Sequence, residues 1–556
     1  MFISISDEEV TYSGGKKYVL KDSKYLVVFE SPNHIKNEII LNQEYAEITK
    51  YADIFPSDSI LFVDPLKKKI VFLRDWPGNI QSFYFLDKDK KQFHISDDIT
   101  HLVKKIKNIK PSFAGIQLFL NYRKHYHSHT IYGNVEMLHP GLMIEIDHYS
   151  FSFEVKPWYL PFRQIEIKNK QNATGKYIEA IDNSLMRLVT KDNPIALMFS
   201  GGSDSTFLLD RLIKSGFTNI NLFAICIKDN TSQIDYAIDK AKHFNLSVTP
   251  IIVDKKEVLK SWTKLYEICY HYLSDLRIDG IFSSAVLVFE FLRDYFKNEP
   301  VTIIWGSQYA LISPVISAKA IVSLRLLSLI KKISDLVFIP SKIITTLFLF
   351  VVKNVPVLDR KQVSEQTYQA YKSLYSKCFG MHHNATQLID MVLSTNYNYC
   401  KHWWMDWRGK VKNIYYPEAK NVYPFHDRTF QEASMPIDLN VRIGGWKNIF
   451  TMPKEYKHFF YSLLPSNIPI SSVKRGNYKT LPEYFSLFKN EQFYNTLLEY
   501  LNDPKNKKLV DLVLKKNNIS IPYSYENFLK LDYQQVEKLS GILFLIIRFR
   551  TDGVDL

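Results

Sequence analysis

The 556-residue sequence predicts an α/β protein: a β-rich N-terminal part, then a doubly wound parallel sheet with a helical C-terminal part. Three observations predict it. Short alternating apolar runs joined by charged turns dominate the first part of the chain, to about residue 160. Between about 170 and 310, strand-like runs alternate with amphipathic helical segments, the pattern of a parallel sheet covered on both faces. Within that stretch a continuous apolar run, Ile195-Ala-Leu-Met-Phe199, leads into Ser200-Gly-Gly-Ser-Asp-Ser205 and then into a helical pattern that stops before Gly216.

The chain is too long for one core, and the pattern divides it at residues 1–165 and 166–556. Hydrophobic residues make up 46%, with 35 Tyr and 37 Phe, enough for large cores. The formal net charge is +14, but the lysines are scattered and no block of five or six like charges occurs. The charge therefore reads as solvated surface rather than a nucleic-acid footprint. Cys226, Cys269, Cys378 and Cys400 have no paired spacing and read as buried free thiols of a reducing compartment. The N-terminus lacks a basic n-region and a long apolar run, and Ile343–Val352 is too short to span a bilayer. A cytoplasmic location is expected.

In the N-terminal part, Ile60–Val63 and Ile70–Leu73 flank Asp64-Pro65 and a lysine run, which reads as a hairpin. Phe83–Leu86 with Phe93–Ile95, and Met143–Ile146 with Phe151–Val155, read as further strand pairs, and Pro111-Ser112 opens a helix through Leu120. His125, His127 and His129 alternate, but no Cys or carboxylate cluster accompanies them, so a surface loop is the expectation.

In the second part, a helix is expected from Thr174 to Val189 before the central strand. Strands at Leu222–Ile227, Val248–Val253 and Val301–Trp305 and a helix from about Ser232 to Asn245 follow. The chemistry is concentrated at residues 200–205. A glycine-lined bend between a buried strand and a helix turns backbone N–H groups towards one point, where the partial positive charge favours an anion. Gly201 and Gly202 admit a ligand close to the backbone, and Ser200, Ser203 and Ser205 offer hydroxyls to phosphate oxygens. Asp204 would repel a bare phosphate, so a bridging cation, most simply Mg²⁺, is expected with it. No lysine follows the last glycine, which excludes a Walker loop.

Ser200–Ser205 resembles the pyrophosphate loop of the ATP pyrophosphatases, which cleave ATP to AMP and pyrophosphate. The chain as a whole is similar to the asparagine synthetase family. Leu73-Arg-Asp75, Ile95-Ser-Asp97, Thr130-Ile-Tyr-Gly133 and Leu138-His-Pro-Gly141 resemble that family's first half, a glutaminase whose nucleophile is a cysteine after the initiator Met. Here Phe2 stands in that position and no Cys precedes Cys226. The resemblance thus implies a degenerate glutaminase-like sandwich and no channel for glutamine-derived ammonia.

In the synthetase half, Asp235 matches the acid that opens the second helix, although an ordinary helix-opening carboxylate explains it nearly as well. Gly306 matches the first glycine of the family's Ser-Gly-x-Gly-x-Asp-Glu signature. Ser307 replaces a residue acting near the chemistry, and Ala310 stands where a metal-binding Asp is expected. Either Asp279 or another nearby acid substitutes, or the enzyme is weakened or inactive.

Residues 315–353 are apolar and basic, and read as core helices or a membrane-surface helix. Met405–Arg408 and Tyr423-Pro-Phe-His-Asp427 resemble the family's helical half, whose Pro-Phe-x-Asp turn frames the acceptor pocket; Val422 replaces an Arg there. Ser472-Val-Lys-Arg-Gly476, after Leu464-Pro465, resembles Arg-x-Lys-x-Gly. That resemblance gives Lys474 the role of a cation stabilising the tetrahedral intermediate, with Arg475 and Lys479 as rivals.

The resemblance implies an ATP- and Mg²⁺-dependent ligase that adenylates a carboxylate and couples it to an amine. With the glutaminase nucleophile absent, the amine is expected on the substrate itself, as in β-lactam synthetases and lasso-peptide macrolactam synthetases. The substrate would be a peptide or small molecule bearing both groups. Amidation of a small acid by ammonia or another small amine, and a catalytically inactive binding protein, stay open. So does peripheral contact with a membrane or a partner enzyme.

Overall fold

The computed structural model describes residues 1–6, 9–20, 24–29, 58–87, 89–106, 109–122, 128–159, 167–228, 232–254, 280–306, 365–380, 411–434, 436–443, 458–466, 489–507 and 520–552, with a few single positions between them. The N-terminal part forms two antiparallel sheets. Its strands are β1 (Phe2–Ile5), β2 (Val10–Ser13), β3 (Lys16–Val19), β4 (Tyr25–Phe29), β5 (Ser59–Asp64), β6 (Lys69–Leu73), β7 (Phe83–Asp87) and β8 (Gln92–Ser96). Helices α1 (Ile99–Lys105) and α2 (Phe113–Tyr122) follow, then β9 (Val135–Met137), β10 (Leu142–Asp147) and β11 (Ser152–Pro157).

One sheet runs β2-β1-β8-β7-β9 and the other β11-β10-β6-β5-β4-β3. They meet where Phe153 of β11 packs on Tyr84 and Phe93, with ring centroids 5.9 and 5.3 Å apart. The expected hairpin at 60–73 forms in register, Ile60 opposite Leu73. Ser112 caps α2, its Oγ accepting the Gly115 N–H at 3.2 Å, which explains a start without an acidic cap.

The second part is built on α3 (Lys170–Leu188), β12 (Ile195–Met198), α4 (Ser203–Lys214), β13 (Ile220–Ile227), α5 (Ser232–Lys242), β14 (Val248–Val253), α6 (Gly280–Tyr295) and β15 (Thr302–Trp305). After α7 (Glu365–Gly380) comes β16 (Lys420–Val422), then α8 (Arg428–Ser434), α9 (Glu491–Asn502), α10 (Tyr525–Lys530) and α11 (Tyr533–Thr551). The five strands are parallel in the order β14-β13-β12-β15-β16.

Side chains alternate across this sheet. Ile195, Leu197, Leu222 and Ile304 pack with α3, α4 and α5, through Tyr177, Ile181, Phe207, Leu208 and Ala237 among others. Ala196, Met198, Phe223 and Ile303 face the opposite way, towards Val286, Phe289 and Leu292 of α6. Helices on both faces explain why the strands read as continuous apolar runs.

That second core continues into the N-terminal part through α11. Phe544 packs on Phe119 of α2 at 6.1 Å, and Arg548, 1% exposed, donates to the Tyr132 hydroxyl at 2.7 Å and the Thr100 hydroxyl at 2.9 Å. A guanidinium so far from water is held by these acceptors together with Asp552, 2.6 Å away. Tyr132 belongs to the Thr130–Gly133 phrase, whose place in this fold is therefore to receive the C-terminal helix. Among the described residues, no helix is long and apolar enough to cross a membrane.

Candidate nucleotide-binding site

β12 ends at Met198 and the chain turns into α4 over four residues. Phe199 still donates to the Phe223 carbonyl at 2.7 Å, so the bend begins as the strand leaves the sheet. Gly201 takes φ +69°, a left-handed conformation that disfavours a side chain. A Cβ there would also lie 3.0 Å from the Tyr236 ring and 3.1 Å from the Ala237 Cα, because α5 packs directly on the bend. Gly202 occupies the N-cap position of α4 and brings no capping side chain.

The hydroxyls brace the bend. The Gly202 N–H donates to Ser200 Oγ at 3.3 Å, Ser205 Oγ donates to the Gly202 carbonyl at 3.2 Å, and Thr206 Oγ1 donates to the Gly201 carbonyl at 3.2 Å. Ser200 Oγ and Ser205 Oγ lie 3.4 Å apart. Ser200 is exposed, Gly202 and Asp204 are half-buried, and Ser203 and Ser205 are buried. The open edge of the bend is thus lined by backbone, the Ser200 hydroxyl and the Asp204 carboxylate at the first turn of α4.

The second wall comes from β15. The chain runs from β12 to β13 and β14 on one side, then crosses back to place β15 on the other. The carboxyl ends of β12 and β15 therefore flank the point where strand order reverses, the usual ligand crevice of an open parallel sheet. Gly306 follows β15, and a Cβ on it would stand 3.0 Å from both Cα and Cβ of Ser205 and 3.2 Å from its nitrogen. Two stretches 101 residues apart, the bend and Gly306, are so brought into contact.

The donor set suits a nucleotide's phosphates: N–H groups at a helix N-terminus, and hydroxyls beside them. Among the described residues no three of His, Cys, Asp and Glu gather as a metal cluster. Asp204 fits the role of a single carboxylate holding Mg²⁺ that is also bound by phosphate oxygens, a common arrangement for that ion.

Tyr236 was not legible as a neighbour of the bend; its only signal was its place beside Asp235 on an amphipathic helix. Burial pushes its phenol up to about 12, with Tyr461 and Asp239 adding to the shift. Asp235 is exposed in the first turn of α5.

The Pro424–His426 turn is a single 3-10 turn. Asp427 after it is buried, accepts the Ser184 hydroxyl at 2.5 Å and the Phe430 N–H at 3.2 Å, and pairs with Arg187. The described contacts make this carboxylate a link between α3 and α8. Val422 closes β16, beside Ile304.

Phe2 lies in β1 opposite Ser96, its ring 5.9 Å from His94 and 6.3 Å from His101. Cys226 is buried and free, and burial raises its thiol. The backbone of His129 forms an isolated antiparallel bridge with that of Glu136. Lys474, with Arg475 and Lys479, lies outside the described residues, as do Ser307, Ala310, Asp279, His125, His127, Met405–Arg408 and, Leu326 apart, 315–353.

Residues 176–293 match the family model described as Asparagine synthase. The match takes in the bend, α4, β13, α5 and β14, and stops before Gly306. It supports an ATP-dependent amide-forming ligase in general terms. No curated protein matches the sequence.

Proposed function

We propose that the chain is an AMP-forming carbon–nitrogen ligase whose nucleotide site is the bend at Ser200–Ser205 closed by Gly306. The observation that supports this most is the contact between Ser205 and Gly306 at the switch point of a parallel sheet, over an uncapped helix N-terminus. In this reading the β- and γ-phosphates of ATP lie against the N–H groups of the bend and the Ser200 hydroxyl. Mg²⁺, when bound, spreads the negative charge that develops on the leaving pyrophosphate. Asp204 holds that ion, and Lys474 stabilises the tetrahedral intermediate when an amine displaces AMP from the activated carboxylate.

The alternative readings of the reaction differ in where the amine comes from. Phe2 gives no nucleophile to release ammonia from glutamine, which favours an amine carried by the substrate, hence lactam or macrolactam formation on a peptide or small natural product. The 1–165 part then serves as a scaffold or docking surface rather than a glutaminase.

An ATP–pyrophosphate exchange assay with a panel of amino-carboxylic acids and short peptides tests this. Acid-dependent exchange is expected, unaffected by glutamine. Absence of both exchange and calorimetric ATP binding would favour the catalytically inactive alternative, for which the replacements at Ser307 and Ala310 argue.

A further inference from the structure

We propose that one end of the six-stranded N-terminal sheet is a docking surface for an anionic lipid bilayer. Three turns lie at that end. Val19 of β3 pairs with Tyr25 of β4, and Tyr25 with Val63 of β5. Asp64 pairs with Lys69 across the 65–68 turn, and Lys69 pairs in turn with Asp147, which precedes the 148–151 turn. Each of these three hairpins carries a large apolar side chain held out in water: Val19 is 74% exposed, Leu66 73% and Tyr149 79%. Single exposed apolar residues are ordinary on protein surfaces, but three from separate hairpins at one sheet end are not explained that way.

The charges at this end are sorted. Lys67 and Lys68 are exposed beside Leu66. The Lys68 ammonium sits 5.2 Å over the Tyr149 ring, and the His148 N–H donates to the Lys68 carbonyl at 2.9 Å, so the two tips form one unit. The neighbouring acids are engaged by backbone N–H groups or by lysines, and of them Asp147 is exposed. Asp64 is buried and accepts the Lys67 N–H at 3.0 Å. Asp147 accepts the N–H groups of Tyr149 and Ser150 at 3.0 and 2.8 Å. Glu145 is taken up by Lys69 and Lys156.

Among the described residues, what faces outward is therefore apolar tips with the Lys67 and Lys68 ammonium groups beside them and one carboxylate, Asp147, held by backbone N–H groups. That combination fits the headgroup layer of a negatively charged membrane: Leu66, Tyr149 and Val19 enter the acyl boundary while Lys67 and Lys68 meet lipid phosphates. The attachment is peripheral and reversible, since it uses a few side chains on rigid turns.

Co-sedimentation of the full chain with vesicles of phosphatidylcholine alone, and of phosphatidylcholine mixed with phosphatidylglycerol, tests the proposal. Binding is expected only to the mixed vesicles, and it should weaken as salt rises. Lys67→Gln and Lys68→Gln should each lower it roughly fivefold, and Leu66→Ser with Tyr149→Ser should lower it about tenfold or more. Because all four side chains are exposed, the melting temperatures should match the wild type, which separates loss of docking from loss of fold. Equal binding to both vesicle types, no binding to either, or variants that bind like the wild type would overturn the proposal.

Discussion

Gly306 lies against the backbone of Ser205, so close that a methyl group on the glycine would stand 3.0 Å from the serine's Cα. Gly306, directly after β15, thereby sets the outer limit of the bend after β12. Neither partner can retreat easily, because Ser205 is inside the first turn of α4 and Gly306 directly follows a buried strand.

Gly306→Ala is therefore expected to displace the bend while leaving the sheet intact. ATP–pyrophosphate exchange should fall by about 10²-fold, the scale of a small misplacement of reacting groups, with a cooperative thermal transition retained. Exchange at the wild-type rate would show that the contact does not shape the site.

Asp204→Asn removes one carboxylate oxygen's charge without changing the size of the side chain. Exchange should be lost at ordinary Mg²⁺ concentrations and be partly restored by raising Mg²⁺. A variant with unaltered Mg²⁺ dependence would take Asp204 out of the metal's coordination.

Lys474→Ala separates the two half-reactions. Exchange should persist, while amide formation drops by roughly 10²–10³-fold, as when a fixed charge-stabilising donor is lost. Equal loss of both activities, or of neither, would reassign the residue.

His94 gives a prediction about stability. It lies between the rings of Phe2 and Phe85, and its imidazole is pushed down to about 4, first by burial and then by the Lys105 ammonium. The unfolded chain takes up a proton near 6.5, whereas the folded chain resists until about 4. The folded state thus binds fewer protons in that window, and stability is lost as pH falls through it, by up to about 3 kcal/mol. Comparing wild type with His94→Phe in thermal melts from neutral to acid pH should show a shallower decline for the variant. Parallel curves would mean that His94 titrates normally in the fold.

Much of the parallel-sheet unit was legible because its strands are buried on both faces and its helices on one. The runs at 195–199, 222–227 and 248–253 and the helix from Ser232 emerge within a few residues of their expected limits. The bend was legible for a local reason: glycine is the residue that tolerates φ +69° at position 201.

Other parts depend on distant partners. β16 is Lys-Asn-Val, too short and polar to read as a strand, and it forms because Ile304 offers an open edge and the Trp305 indole donates to Asn421 at 3.1 Å. Tyr236 meets Gly201 only once α5 has folded back on the sheet. The link from Arg548 to Tyr132 and Thr100 spans more than 400 positions and leaves no local pattern.

The most direct test of the account is a crystal structure of the chain with Mg²⁺ and a non-hydrolysable ATP analogue. The account predicts the β- and γ-phosphates against the N–H groups of residues 201–205, with Gly306 at the nucleotide's other side. A nucleotide bound elsewhere, or a bend that stays empty at saturating analogue, would contradict it.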